Sequence, residues 1–176
     1  YVSATDGKGD SDYGDIGCST RVSDYVEWIE KVKAFCLDVG QRDEPSFHTT
    51  TYFTNCQVHN EPLIKEVLDH AIKDGEEFQE SWIQTYDRNS GFHAPHTHRG
   101  TSVASCLYLN DGDGTYFYNP LTDTQENVPV KKGDILYWQP DLIHYSLPST
   151  EEKTIIGMNI LDTETKAYLA QGANRT

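Results

Sequence analysis

Two stretches before residue 75 carry apolar side chains at helical spacing, whereas beyond Phe78 short extended runs alternate with turn signals. From about Ser23 to Leu37, Tyr25, Trp28, Ile29, Val32, Phe35 and Cys36 form one stripe, with Glu27, Glu30, Lys31 and Lys33 elsewhere. Gly40 follows as a stop. A second helix is predicted from about Glu61 to Asp74, with Asn60 placed to cap it, Pro62 in the first turn and Gly75 at its end. Leu63, Ile64, Val67, Leu68 and Ala71 make its buried stripe. Seven extended runs come next: Ser81–Asp87, Thr101–Leu109, Thr115–Asn119, Gln125–Val130, Gly133–Trp138, Ile143–Leu147 and Thr154–Leu161. Short strands with tight turns predict a sandwich or jelly roll, two packed sheets with a mouth at one end.

The expected organisation is one domain in three parts. Residues 1–21, rich in Gly, Asp and Ser, read as an irregular arm. Residues 22–78 supply bracing helices and residues 79–165 the jelly-roll core. A length of 176 residues suits one core and leaves little room for two. The chain is 36% hydrophobic and 11% aromatic, which separates it from disordered sequences.

A formal net charge of -14 repels phosphate backbones and anionic lipid, so neither nucleic acid nor membrane is an expected partner. No apolar run approaches the roughly 20 residues that span a bilayer. No signal-peptide pattern opens the chain, which begins at Tyr1, and targeting is left open. Cys18, Cys36, Cys56 and Cys106 lack metal-type spacing and read as reduced, structural thiols of a cytoplasmic protein. Pairing into a homodimer is compatible with all of this.

The chemistry concentrates on three histidines. His96 and His98 stand two apart in an extended segment, so both rings share a face. His144 follows a separate extended run through the turn Gln139–Ile143. Two ligands from one segment and one from another make a facial metal site with open positions for substrate and oxygen. His48, His59 and His70 repeat no ligand pattern and read as ordinary surface or core residues. His93 is expected in a turn with the opposite orientation, nearer the entrance than the metal. Trp82 and Trp138 read as core aromatics. Asp111 and Asp113 sit in a hairpin turn that lacks the later glutamate of a calcium loop.

The stretch from Tyr86 to His98, with Cys106–Asn110, Gly114–Pro120, Val130–Trp138, Leu142–His144 and Lys153–Asn159, resembles the Fe(II)/2-oxoglutarate-dependent oxygenases. The likeness is greatest to the prolyl-hydroxylase-like branch and to a bacterial and phage group of such oxygenases. It spans about half the chain, from Ser81 to Leu161. The resemblance implies a double-stranded β-helix of the jelly-roll type, mainly β with N-terminal helices. It also implies Fe(II), with 2-oxoglutarate as cosubstrate and O2 as oxidant. Its His-x-Asp pair falls on His96 and His98, and its distal histidine on His144. Lys153 takes the place of the cation that anchors the far carboxylate of 2-oxoglutarate. Tyr108 matches a tyrosine that hydrogen-bonds the same carboxylate, Tyr86 one that lines the cavity, and Asn159 faces the metal side of the last strand.

One position departs from that pattern: His98 stands where most members carry a carboxylate. A neutral ligand leaves the centre one charge more positive. Either a nearby acid such as Asp141 or Asp113 ligates instead, or all three ligands are imidazoles, the option favoured here. The implied activity is hydroxylation of a small molecule or peptide side chain with release of succinate and CO2. The loop Arg99–Thr101, the turn Asn119–Thr124 and the N-terminal arm are candidates to cover the mouth. Two rivals stand beside this reading: a cupin-type three-histidine dioxygenase that needs no 2-oxoglutarate, and a non-catalytic jelly-roll binding or structural module.

Overall fold

The helical stripe folds as its spacing dictates. In a computed structural model, which describes residues 2–4 and 22–173, helix α1 spans Val22–Val39 and buries Ile29, Val32 and Cys36. Gly40 ends it by close approach: a Cβ there would stand 2.3 Å from the Cys36 carbonyl oxygen. Helix α2 is Pro62–Asp69, shorter than predicted, and Glu61 rather than Asn60 is its N-cap. Proline drives its preceding residue out of the helical region, and Glu61 is extended at φ -71°, ψ 129°. At the far end the His70 and Ala71 amides turn to carbonyls three residues back, Val67 and Leu68, and the helix closes there.

The strands are β1 (Val2–Ala4), β2 (Gln41–Asp43), β3 (His48–Thr50), β4 (Glu77–Tyr86), β5 (His93–His96), β6 (Val103–Tyr108), β7 (Gly112–Asn119), β8 (Thr124–Val130), β9 (Ile135–Trp138), β10 (Ile143–Ser146) and β11 (Lys153–Leu161), followed by helix α3 (Thr163–Ala173). All seven predicted runs are strands. Four further ones are short. β1 falls in the stretch expected to be an irregular arm, and β2 and β3 fall among the expected helices. The rest of that arm, with Cys18, lies outside the described residues. β3 has no apolar alternation to reveal it, because its buried side chains are His48, Thr49 and Thr50.

Two antiparallel sheets result, in the orders β1-β9-β6-β11-β4-β3-β2 and β5-β10-β7-β8. This is the jelly roll. The period-2 alternation of the larger sheet sorts its side chains onto two faces. Ile83, Leu107, Ile135, Ile156, Met158 and Ile160 join Ile29, Val32, Ile64 and Leu68 in a core beneath the helices. The opposite face carries Cys106, Tyr108, Leu136 and Trp138, which pack with Phe117 of the smaller sheet. That inner face also carries Glu80, Trp82, Gln84 and Tyr86 on β4, and Lys153, Ile155, Gly157 and Asn159 on β11. All eight line cavities between the sheets.

Candidate metal centre

Strand pairing brings the three histidines together. β5 runs antiparallel to β10 with His96 directly opposite His144. His98 lies just past the end of β5, where its amide donates to the Pro140 carbonyl at 2.8 Å. The expected extended pair is therefore one strand residue and one tethered loop residue. The rings still converge, with the Nε2 of His98 3.1 Å from that of His96 and 3.2 Å from that of His144. The three ligand atoms lie within 4.8 Å of one another, and they form the one such cluster among the described residues. Asp141 and Asp113 are not part of it.

The ring tautomers follow from the other nitrogens. His96 Nδ1 donates to the Ala94 carbonyl at 2.8 Å and His144 Nδ1 to the Leu142 carbonyl at 2.9 Å. Asn159 Nδ2 donates to Glu80 Oε2 at 2.9 Å, which turns its Oδ1 to accept from His98 Nδ1 at 2.6 Å. Each neutral ring thus carries its proton on Nδ1 and a bare lone pair on Nε2. Three lone pairs aimed at one point repel unless a cation sits among them. Metal–imidazole bonds of about 2.1 Å at right angles would space the nitrogens about 3.0 Å apart. The His98–His96 and His98–His144 separations match that spacing, and the three atoms together span up to 4.8 Å, so His96 and His144 close in on a bound ion.

Burial keeps the imidazoles neutral and ready to bind. It pushes His144 down to about 3, with His96 adding to the effect, and lowers His96 and His98 as well. For His98 the Asn159 hydrogen bond and the charge of Glu80 oppose that fall. Trp138 stands edge-on to His144, ring centroids 4.9 Å apart, and Trp82 lies 5.9 Å from His98. The two tryptophans expected in the core are buried, and they also wall the centre.

An inner cavity of about 40 Å³ joins the three histidines to Tyr86, Thr115, Ser146 and Lys153. Lys153 is 7% exposed, and its Nζ donates to the Gly114 carbonyl at 2.9 Å and to Ser146 Oγ at 2.8 Å. The rings of Tyr86 and Tyr108 stand 5.5 and 5.8 Å from it. No described carboxylate forms an ion pair with this ammonium, and burial pulls it down to about 8. A buried cation without a partner anion is costly for a fold and suited to an anionic ligand. Trp138 lines the same cavity, and its indole N–H has no partner among the described residues. The Tyr108 hydroxyl is already engaged in a short hydrogen bond with Thr115 Oγ1. Burial raises both phenols, Tyr86 and Tyr108, and pushes the Cys106 thiol up to about 12.

A larger outer cavity of about 370 Å³ shares Trp82, Gln84, His93, His96 and His98 with the inner one. Its remaining wall includes Asp43, His48, Tyr52, Phe53, Glu80, Arg99 and Asn159. His93 corrects the expectation of a turn residue facing away: it opens β5 and stacks on His96 at 4.1 Å. A register shift in the β5–β10 pairing between His96 and His93 allows both rings on that side. His48 was expected to be unremarkable, yet it is buried on the cavity wall 5.8 Å from His93. His59, bonded to Ser81 Oγ at 2.7 Å, and exposed His70 stay clear of the site. Of the expected covers, Arg99 lines the mouth; the turn Asn119–Thr124 lines neither cavity, and Leu121 there is 94% exposed. Glu80, Gln84 and Ser146 were missed. The i, i+2 alternation through Tyr86 and through His144 marks their faces.

The fold is that of solved 2-oxoglutarate–Fe(II) oxygenase structures. A prolyl-4-hydroxylase from Pseudomonas putida superposes with a TM-score of 0.57 at 13% identity, over 92% of each chain. The epimerase SnoN of nogalamycin biosynthesis, in complex with Fe3+, alpha ketoglutarate and nogalamycin RO, gives 0.60 at 10% identity, over 92% of this chain and 78% of its own. HygX from Streptomyces hygroscopicus, with nickel and 2-oxoglutarate bound, gives 0.54 at 12% identity, over 78% of this chain and 79% of its own. No family model and no curated protein sequence matches the chain.

Proposed function

We propose that this chain is an Fe(II)- and 2-oxoglutarate-dependent dioxygenase that hydroxylates a small molecule or a peptide side chain, releasing succinate and CO2. One observation carries the reading: three bare imidazole nitrogens and a buried ammonium that no described carboxylate pairs with line a single cavity. His96, His98 and His144 hold the metal through Nε2. Lys153, held by Ser146 and the Gly114 carbonyl, takes the distal carboxylate of the cosubstrate, and Tyr86 and Tyr108 wall that end. Bound iron supplies oxygen activation and the oxidative decarboxylation of the cosubstrate. The chain's own part is to orient the reactants and exclude water. The substrate, on this reading, occupies the outer cavity, whose wall includes His96 and His98.

A second reading, a dioxygenase of the three-histidine kind without 2-oxoglutarate, draws on the all-imidazole donor set. Anaerobic titration with Fe(II) and 2-oxoglutarate separates the two. The first reading expects a weak visible charge-transfer band from the chelate, abolished in His144→Ala. Oxygen uptake that ignores 2-oxoglutarate would transfer the assignment to the second.

A further inference from the structure

Position 98 presents an electrostatic problem that the neighbouring strands answer. Two cationic charges held by three neutral imidazoles lack the negative charge that a carboxylate ligand would bring. His96 and His144 are keyed by backbone carbonyls two residues upstream of each. His98 alone is keyed by side chains, in a chain of two hydrogen bonds that runs His98 Nδ1–H to Asn159 Oδ1 and Asn159 Nδ2–H to Glu80 Oε2. The ladder builds this chain. Asn159 of β11 and Glu80 of β4 are direct cross-strand partners, so their side chains leave the sheet on the same face. A break in register follows at once, between Asn159 and Ile160. Asn159 is 8% exposed, and Glu80 is half-buried on the cavity wall.

We infer that Glu80 is a positioning residue of the metal centre, acting through Asn159 to return to the His98 imidazole the negative charge its own side chain lacks. The inference rests on the proposed metal-binding role of the three histidines. Polarising the Nδ1–H bond makes Nε2 a stronger donor, as carboxylates behind ligating histidines do elsewhere. The amide also fixes the ring plane, so charge and geometry arrive together.

The test is anaerobic Co(II) titration of the full chain, with the Fe(III)/Fe(II) midpoint potential measured in parallel. Glu80→Gln, of equal size but neutral, is expected to weaken Co(II) binding about tenfold or more and to raise the midpoint, with the melting temperature of the metal-free protein unchanged. Glu80→Gln/Asn159→Asp moves the carboxylate directly onto His98 Nδ1 and is expected to recover both readouts. Equal Co(II) affinity in Glu80→Gln and the parent would overturn the inference, as would failure of the double variant to recover. A Glu80→Gln protein that loses its metal-free fold would assign Glu80 to the fold alone, with the same consequence. If the parent itself binds no Co(II), it is the metal-centre reading that falls, and this one with it.

Discussion

On the proposed function, Lys153 would tie stability to ligand binding through one side chain. Its pKa is lowered from 10.5 to about 8 by burial, so the folded protein gives up this proton more readily than the unfolded chain does. The cost of burying the ammonium is fully present below pH 8. It lifts as pH rises from about 8 towards 10.5, because there the unfolded state binds more protons. Lys153→Met is therefore expected to melt higher than the parent at pH 7 without ligands, with the difference shrinking above pH 8. The same variant should bind 2-oxoglutarate at least tenfold more weakly, by calorimetric titration of the Ni(II)-loaded protein. In the parent, cosubstrate affinity should fall as pH passes 8, and the variant should lack that step. A variant that gained no stability, or kept its affinity, would contradict the assignment of Lys153.

At the scale of elements, the pairing of β4 with β11 sets the site. Gly157 faces Trp82 across that ladder, and a Cβ at Gly157 would stand 2.5 Å from the indole ring. Gly157→Ala is expected to cost about 1–3 kcal/mol in urea unfolding. It should also weaken metal binding, because the displaced ring is the wall behind His98. The same ladder explains what the sequence could reveal. The seven predicted strands announce themselves because turn signals bracket extended runs. The histidines were legible because His96 and His98 are neighbours in the chain and His144 follows a clear strand. Glu80 was not, because its partner Asn159 is 79 positions away and only the strand register joins them. His48 and His93 hid for a related reason. Their strands are three and four residues long, and β3 buries polar side chains.

For the molecule as a whole, the centre joins parts far apart in sequence: β5 and β10 of one sheet meet β4 and β11 of the other. A metal held by the three histidines would bind the folded state and tie together β5, the loop after it and β10, with Asn159 of the other sheet bonded to His98. Ni(II) at about a hundred times its Kd should add about 2.7 kcal/mol of stability, or about 5–10 °C in melting temperature for a chain of this size. A chelator should reverse the gain, and His96→Ala should abolish it. No gain in the parent would speak against a folded-state metal site. Among the described residues, no helix is long and apolar enough to cross a membrane.

β5 is an edge strand, paired only with β10, whereas β11 is enclosed by β4 and β6. Among the described residues the outer rim of β5 has no neighbouring strand, and Pro95 removes one of the strand's amides. The histidines at positions 96 and 144 are thus mounted unequally: the first on a margin that can peel away, the second on an interior rung. Deuterium uptake should accordingly be quickest along 93–96 and slowest along 153–161, with bound nickel narrowing that gap. Bulky reactants would then be admitted by the loosening of a single hem while the remainder of the vessel stays shut.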